Sequence, residues 1–537
     1  MSGVCKMLVM ISALLLSTTV AAQSRPTALD EVFSEELDVS LVELDVLVLD
    51  GKGNAVTGLR AEDFRVLEEK IERPIASFGE IVKPEFRAQP GVEQRPPAPL
   101  EGGKFDAPNE TLVMLFVDHA NLMPNRRARV LHFLDRYLEE TTPSGAVRFG
   151  LVLNDRPLRV AIAPTTDRAK FRRQVAALPN PPASSARVDL DRQEAIRVMR
   201  GPDDPAPGRS RADRASTTVA DCPERMEKIG AIGRYIDGVE RRNQRTLLGL
   251  DATVTMLGGV EGTKVLLYVG EGPELQPGLE MALRAGFACA DLRSQEVTLT
   301  GSLIERDLRG VAANANAYRV TLYALDAGGA RLEEDFTEPR AILDPELRQA
   351  RASNLQGSMF ILADETGGRL FRNLGDVRPH LERLERDLEH RYEMAYEAPP
   401  EPGRVRRVKV EVRKERLEKL GLGKVRVLHR SAIRSIGENE RLVAQLFAAL
   451  WLGNEDNELD IGVFHAEPET AGRTGVGVRV PYDRLVLDEA TPPERLRIFL
   501  MARDEESGAR TLPKEHFEDL TASALERGRA AGSLEFV

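Results

Sequence analysis

The chain has 537 residues, with 85 acidic against 74 basic side chains, a formal net charge of −11 and 42% hydrophobic residues. That length exceeds what one core organises, and at roughly 150 residues per domain it implies about three or four units. The arginines are scattered among carboxylates and form no basic patch, which excludes nucleic acid and an anionic membrane surface as expected partners.

The first residues read as an export signal. Lys6 supplies a short positive region, Met7 to Leu16 an apolar stretch, and Ser17 to Ala22 small residues suited to cleavage, so residues 1–22 are expected to be a signal peptide. The apolar stretch is short of the ~20 residues that span a bilayer, and no later stretch reaches that length. The mature chain is therefore expected to carry no membrane span and to be periplasmic or extracellular. Cys5 leaves with the signal. Cys222 and Cys289 remain, either as a disulfide suited to an oxidising compartment or as two buried thiols, and are too few for a zinc site.

Residues 37–82 read as a small β module, with alternation from Val39 to Leu49, a turn at Asp50–Asn54 and a second strand at Phe64–Leu67. Residues 83–110, rich in Pro, Glu and Gly, read as a linker. From Thr111 the character changes. Thr111–Val117 is a continuous apolar run, as in a parallel strand buried on both faces, and it ends at Asp118. Similar runs recur at Arg148–Leu153, Lys264–Val269 and Val320–Leu325, with helical periodicity between them. That alternation predicts an α/β domain over 111–398, a doubly wound, mostly parallel sheet. Residues 180–221, heavy in Arg, Asp and Pro, read as a flexible insertion. Short strands then return over 404–537 around one helix at Asn439–Leu452, which suggests a C-terminal β-sandwich-like domain.

Six segments carry a resemblance: Val56-Thr-Gly-Leu-Arg-Ala-Glu-Asp-Phe64, Pro74-Ile-Ala-Ser-Phe78, Gly262-Thr-Lys-Val-Leu-Leu-Tyr268, Val320-Thr-Leu-Tyr-Ala-Leu-Asp326, Ala363-Asp-Glu-Thr-Gly-Gly368 and Arg391-Tyr-Glu-Met-Ala-Tyr396. In this order and spacing they resemble the von Willebrand factor type A-related family of acidobacterial type, over nearly the whole mature chain. The resemblance implies a nucleotide-fold-like sheet with a metal-ion-dependent adhesion site at the carboxyl ends of its strands. The family pattern there is Asp-x-Ser-x-Ser after the first strand, a Thr opening a later helix, and an Asp after the fourth strand. Here the first loop reads Asp118-His-Ala-Asn-Leu122, so Ala120 and Leu122 stand at the serine positions. Thr246 matches the threonine and Glu271 stands where the aspartate would be.

Mg²⁺ or Mn²⁺ needs an octahedral set of oxygens, and Ala and Leu offer none. The resemblance therefore implies a degenerate metal site at Asp118, Thr246 and Glu271, with weak or absent metal dependence and no other cofactor. All three are expected to converge on one edge, with His119 and Asn121 in the adjoining binding loop and His119 solvated. The plain alternative is that Asp118 and Thr246 cap helices and Glu271 is solvated. The chain has no Gly-x-Ser-x-Gly elbow, no phosphate-binding Gly-rich loop and no His-Glu-x-x-His, and its seven histidines are dispersed. The expectation is an exported, non-enzymatic binding or scaffolding protein that recognises a protein or glycan through strand-end loops. The alternatives are an extracytoplasmic hydrolase using carboxylates such as Glu271 and Asp118, or a structural envelope component.

Overall fold

The computed structural model describes residues 5–12, 40–82, 111–119, 121–122, 126–132, 135, 147–155, 158–178, 186–200, 225–281, 283, 295–328, 345–372, 378–399, 401, 403–453, 460–466, 475–484, 495–504, 511 and 513–536. Strand β1 (Cys5–Ser12) lies in the stretch read as an export signal. Then come β2 (Ser40–Leu49), β3 (Phe64–Glu68), β4 (Ile71–Arg73) and β5 (Ile75–Val82). Alternation decides their faces: Val42, Leu44, Val46 and Val48 of β2 are all buried. The linker 83–110 lies outside the described residues.

The chain then builds a mixed α/β unit. Its elements are β6 (Thr111–Val117), β7 (Val147–Leu153), β8 (Arg159–Thr165), α1 (Arg168–Ala176), α2 (Ala186–Arg200), α3 (Arg225–Gly258), β9 (Thr263–Gly270), α4 (Gln295–Ala317), β10 (Val320–Asp326), α5 (Pro345–Glu365), β11 (Leu370–Phe371) and α6 (Arg378–Glu389). The six strands form one sheet in the order β11-β10-β9-β6-β7-β8, parallel throughout except for β7 against β8. Every residue of β6 and β7 is buried, which is why Leu112–Val117 and Phe149–Leu153 read as unbroken apolar runs. On one face Met114, Phe116, Leu266 and Tyr268 share a core with residues of α3, α4 and α5. On the other, Leu115, Val117, Val265 and Leu267 pack with residues of α1 and α6.

The insertion corrects one expectation. Ala186–Arg200 is helix α2, whose Ala195, Ile196 and Val198 meet Ala231, Tyr235 and Val239 of α3. Its charge, which made the stretch read as flexible, goes partly into a forked pair: Arg192 donates to both oxygens of Glu280, at 2.9 and 2.8 Å. Residues 201–221, Cys222 and Cys289 lie outside the described residues.

The chain next returns to the first module with β12 (His390–Ala398), β13 (Val405–Val412), α7 (Lys414–Lys419), β14 (Arg426–Leu428) and β15 (Ala432–Arg434). Strand β12 runs antiparallel between β2 and β5, and β13 between β3 and β15. The result is two four-stranded sheets, β14-β2-β12-β5 and β15-β13-β3-β4. Leu44, Val46, Phe64, Tyr392, Met394, Tyr396, Val408 and Ile433 share their core. The expected N-terminal module is therefore half of a sandwich whose other half follows the α/β unit. Strands β2 and β5 are not neighbours and close into a sheet only when β12 enters between them. Segment Arg391–Tyr396, expected inside the α/β domain, is the middle of that strand.

Helix α8 (Glu438–Phe447) runs into a π-helical turn, Ala448–Leu452, and buries Leu442, Leu446, Phe447 and Trp451 in the core that also holds α3. Gly259, just beyond α3, permits this approach: a Cβ there would lie 2.2 Å from the Ala444 carbonyl oxygen. The remaining elements are β16 (Gly462–Ala466), β17 (Gly475–Pro481), β18 (Arg495–Asp504), β19 (Lys514–Asp519), α9 (Ala522–Ala531) and β20 (Ser533–Phe536). They form two small antiparallel sheets, β16-β17-β20 and β1-β18-β19. In the second, β1 pairs along β18 from Cys5 opposite Asp504 to Ser12 opposite Arg497. Among the short strands expected over 404–537, the apolar stretch at Leu485–Leu487 lies outside the described residues. Among the described residues no helix is long and apolar enough to cross a membrane.

Candidate functional site

Strand order reverses between β6 and β9, because the chain goes from β6 outward to β7 and returns on β6's other side as β9. The carboxyl ends of these two strands are where open α/β sheets form their ligand crevice. Asp118 follows β6 directly, and its N–H donates to the Val269 carbonyl of β9 at 2.9 Å. Its side chain is fully buried, at 0% exposure. A buried carboxylate demands donors, and Asp118 has four. Asn154 Nδ2 donates to Oδ1 at 2.8 Å, and the Tyr268 and Thr246 hydroxyls donate to Oδ2 at 2.8 and 2.9 Å. Asn121 Nδ2 also donates to Oδ2, and to Thr246 Oγ1 at 2.6 Å. The Asn121 amide therefore bridges the carboxylate and the hydroxyl that the resemblance assigns to a metal. Burial pushes the Asp118 carboxyl above its usual range, while the four hydrogen bonds pull the other way.

Thr246 sits where the sequence places it relative to Asp118, but it caps nothing. Helix α3 is continuous over 34 residues, and Thr246 lies well inside it. The packing of α2 on the N-terminal half of α3 explains why the helix starts so far upstream. One turn beyond, Gly249 leaves room for the site: a Cβ there would stand 2.8 Å from Asn154 Oδ1. Asn154 and Tyr268 are the residues that sequence reasoning missed. A polar residue immediately after the apolar run of β7, and one hydroxyl inside the apolar run Val265–Val269 of β9, were the available signals. Tyr268 is stacked on Phe116 at 5.9 Å and its oxygen accepts the Gly272 N–H at 3.2 Å.

The other candidates are not hydrogen-bonded into this network. Glu271 makes none of these bonds; its Oε1 is 2.5 Å from Arg126 Nη1, with both side chains largely buried. His119 is buried at 2% exposure rather than solvated. Neither of its ring nitrogens has a hydrogen-bond partner, and Nδ1 is 3.8 Å from Asp155 Oδ2. Burial first, and then the Arg127 guanidinium, hold the imidazole down to about 4, against the opposing pull of Asp155. Leu122, at 0% exposure, belongs to the core with Val113, Leu115, Val117 and Val130. Its side chain is a packing element of the sheet, not a neighbour of a cation. Ala120 lies outside the described residues.

These donors do not fit Mg²⁺ or Mn²⁺. Hard cations are held by oxygen lone pairs, whereas the space between Asp118 and Thr246 is filled by an N–H₂ group that directs hydrogens at both.

No protein-family model matches the chain, and no curated protein matches it. Among solved structures, the chain is similar to the conserved hypothetical protein BatB from Bacteroides thetaiotaomicron, with 8% identity over 52% of this chain and 98% of that one, at a TM-score of 0.23. It is also similar to an aerotolerance-related membrane protein from Bacteroides fragilis NCTC 9343 carrying multiple mutations to serines, at 8% identity over 52% and 98% and a TM-score of 0.24. Both likenesses are slight, and the strand order stands without them.

Proposed function

We propose that this is an exported binding or scaffolding protein whose α/β unit is a von Willebrand A-like domain that recognises a protein or glycan without a metal ion. The observation that carries this reading is the Asn121 amide joined to both Asp118 and Thr246 at the carboxyl ends of β6 and β9. It supports the reading because the amide supplies internally the positive pole that a cation would bring to such a site. Recognition then falls to the loops above, which stand on a rigid sheet. The hydrolase alternative is less well supported, since a fully buried Asp118 with four donors is closed to substrate and Glu271 is held by Arg126.

The test is retention of envelope components on immobilised protein, with and without EDTA, beside a variant carrying Arg126→Glu and Glu271→Arg. We expect a defined component retained equally in EDTA and lost from the variant at unchanged melting temperature. Retention abolished by EDTA, or identical retention by the variant, would sink the proposal. Micromolar binding of Mg²⁺ in calorimetry would also do so.

A further inference from the structure

The opposite end of the sheet holds a second feature, remote from Asp118. A cavity of about 360 Å³ lies between the starts of β9 and β10 and strands β2 and β12 of the sandwich. That volume is in the lower part of the range for small-molecule sites, roughly 300–1,000 Å³. Its wall is aliphatic in part, with Leu47, Leu388 and Leu428 contributing, and charged in part.

Most of the charges there satisfy one another. Arg319 pairs with Glu43 and is 3.7 Å from Asp45; Arg391 is 3.2 Å from Asp45 and 2.6 Å from Glu393. Asp387 is held by Arg369 at 2.9 Å. Lys264 is different. It is buried at 8% exposure, and its Nζ donates to the Val260 carbonyl at 2.9 Å. Among the described residues no carboxylate stands within ion-pair distance of it. An ammonium buried without a counter-charge is unfavourable. Burial, with Arg319 and Arg430 nearby, brings the Lys264 amine down to about 7 against the opposing Glu261 and Asp45. Arg319, which lines the cavity, takes a left-handed φ of 56° in the turn that ends α4 before β10.

We propose that this cavity binds a small organic monocarboxylate, whose carboxylate pairs with Lys264 and whose apolar body lies along the aliphatic wall. A dianion such as phosphate is disfavoured, because Lys264 offers a single positive charge while Arg319, Arg391 and Arg369 are already engaged by Glu43, Asp45, Glu393 and Asp387. The site is independent of the Asp118 network and of any partner bound there.

The experiment titrates the full chain with benzoate and butyrate by calorimetry, with benzyl alcohol and inorganic phosphate as comparisons. One of the two carboxylates should bind saturably and raise the melting temperature. Benzyl alcohol, phosphate and the Lys264→Met variant should each bind roughly tenfold more weakly or worse, as expected when a charge-assisted pair is lost. Carbon-13 reductive methylation gives a second readout in the unsubstituted protein: the Lys264 titration midpoint should move upward when the carboxylate saturates. Failure of both carboxylates to saturate would show a water-filled seam only and overturn the proposal. So would equal binding by Lys264→Met, equal binding of phosphate, or an unmoved Lys264 midpoint.

Discussion

Asn121 occupies the position of greatest leverage at the residue scale. Its Nδ2 reaches both Asp118 Oδ2 and Thr246 Oγ1, and all three side chains are buried. Asn121→Ala removes one donor from a buried carboxylate and should cost about 1–3 kcal/mol, read as a fall in urea midpoint at unchanged m-value. Asn121→Asp should do the reverse chemically, bringing a second carboxylate to Asp118 and making stability rise with added Mg²⁺; an unaltered midpoint in Mg²⁺ would count against the bridging role. His119 gives a pH signature. Its folded value of about 4 lies below the ordinary 6.5, so between these values the unfolded chain binds more protons. Its contribution is intact above pH 6.5, falls as pH drops through that window, and is lost near 4, a difference of about 3 kcal/mol. The stability of His119→Phe relative to the parent should therefore improve as pH falls from 6.5 to 4. A difference that stays flat would show that the imbalance lies elsewhere.

Elements show most clearly which features could be read in advance. Strands β6, β7, β9 and β10 were legible because a strand covered on both faces is apolar along most of its length, and here the charged residues and threonines fall at or next to the strand ends. Helix α3 was legible as a helix but not as the platform for Thr246, since an uninterrupted 3.6-residue pattern does not mark which turn faces the site. Helix α2 was hidden by its own charges, which pair only in three dimensions. Leu122 was placed in the binding loop by motif position, but packing claims it for the core. Leu122→Ser should therefore destabilise by roughly 2–5 kcal/mol whatever the metal content, through lost packing and a buried hydroxyl. Gly259 links α3 to α8. Gly259→Ala sets a methyl against the Ala444 backbone, so the C-terminal segment should become more open to protease while α3 keeps its helicity by circular dichroism. Unchanged protection would mean that α8 shifts at little cost.

At the scale of the whole molecule, the sandwich is assembled from both sides of the α/β unit. Local alternation identifies β2 as a strand and β12 as a strand, but nothing in either stretch names the other as its neighbour. This is why residues 37–82 read as a free-standing module. The distinction is measurable. A protease site placed within 83–110 and then cut should leave the N-terminal piece bound to the remainder through gel filtration, because β2 and β3 each lie beside strands from the far side of the insertion. Two separate peaks without denaturant would restore the independent module.

The same arrangement imposes a schedule on synthesis. Strands β2 to β5 leave the ribosome with their hydrogen-bonding edges open, and their partners β12 and β13 follow only after the entire α/β unit. At about 5–20 residues per second, that interval of roughly 300 residues lasts on the order of 15–60 s. Throughout it, β2 carries an apolar face and an unpaired edge, the combination that recruits other nascent chains. The chain itself offers its first strands no such partner until the later ones arrive, so slowing elongation through the insertion should lengthen that exposure and raise the aggregated fraction.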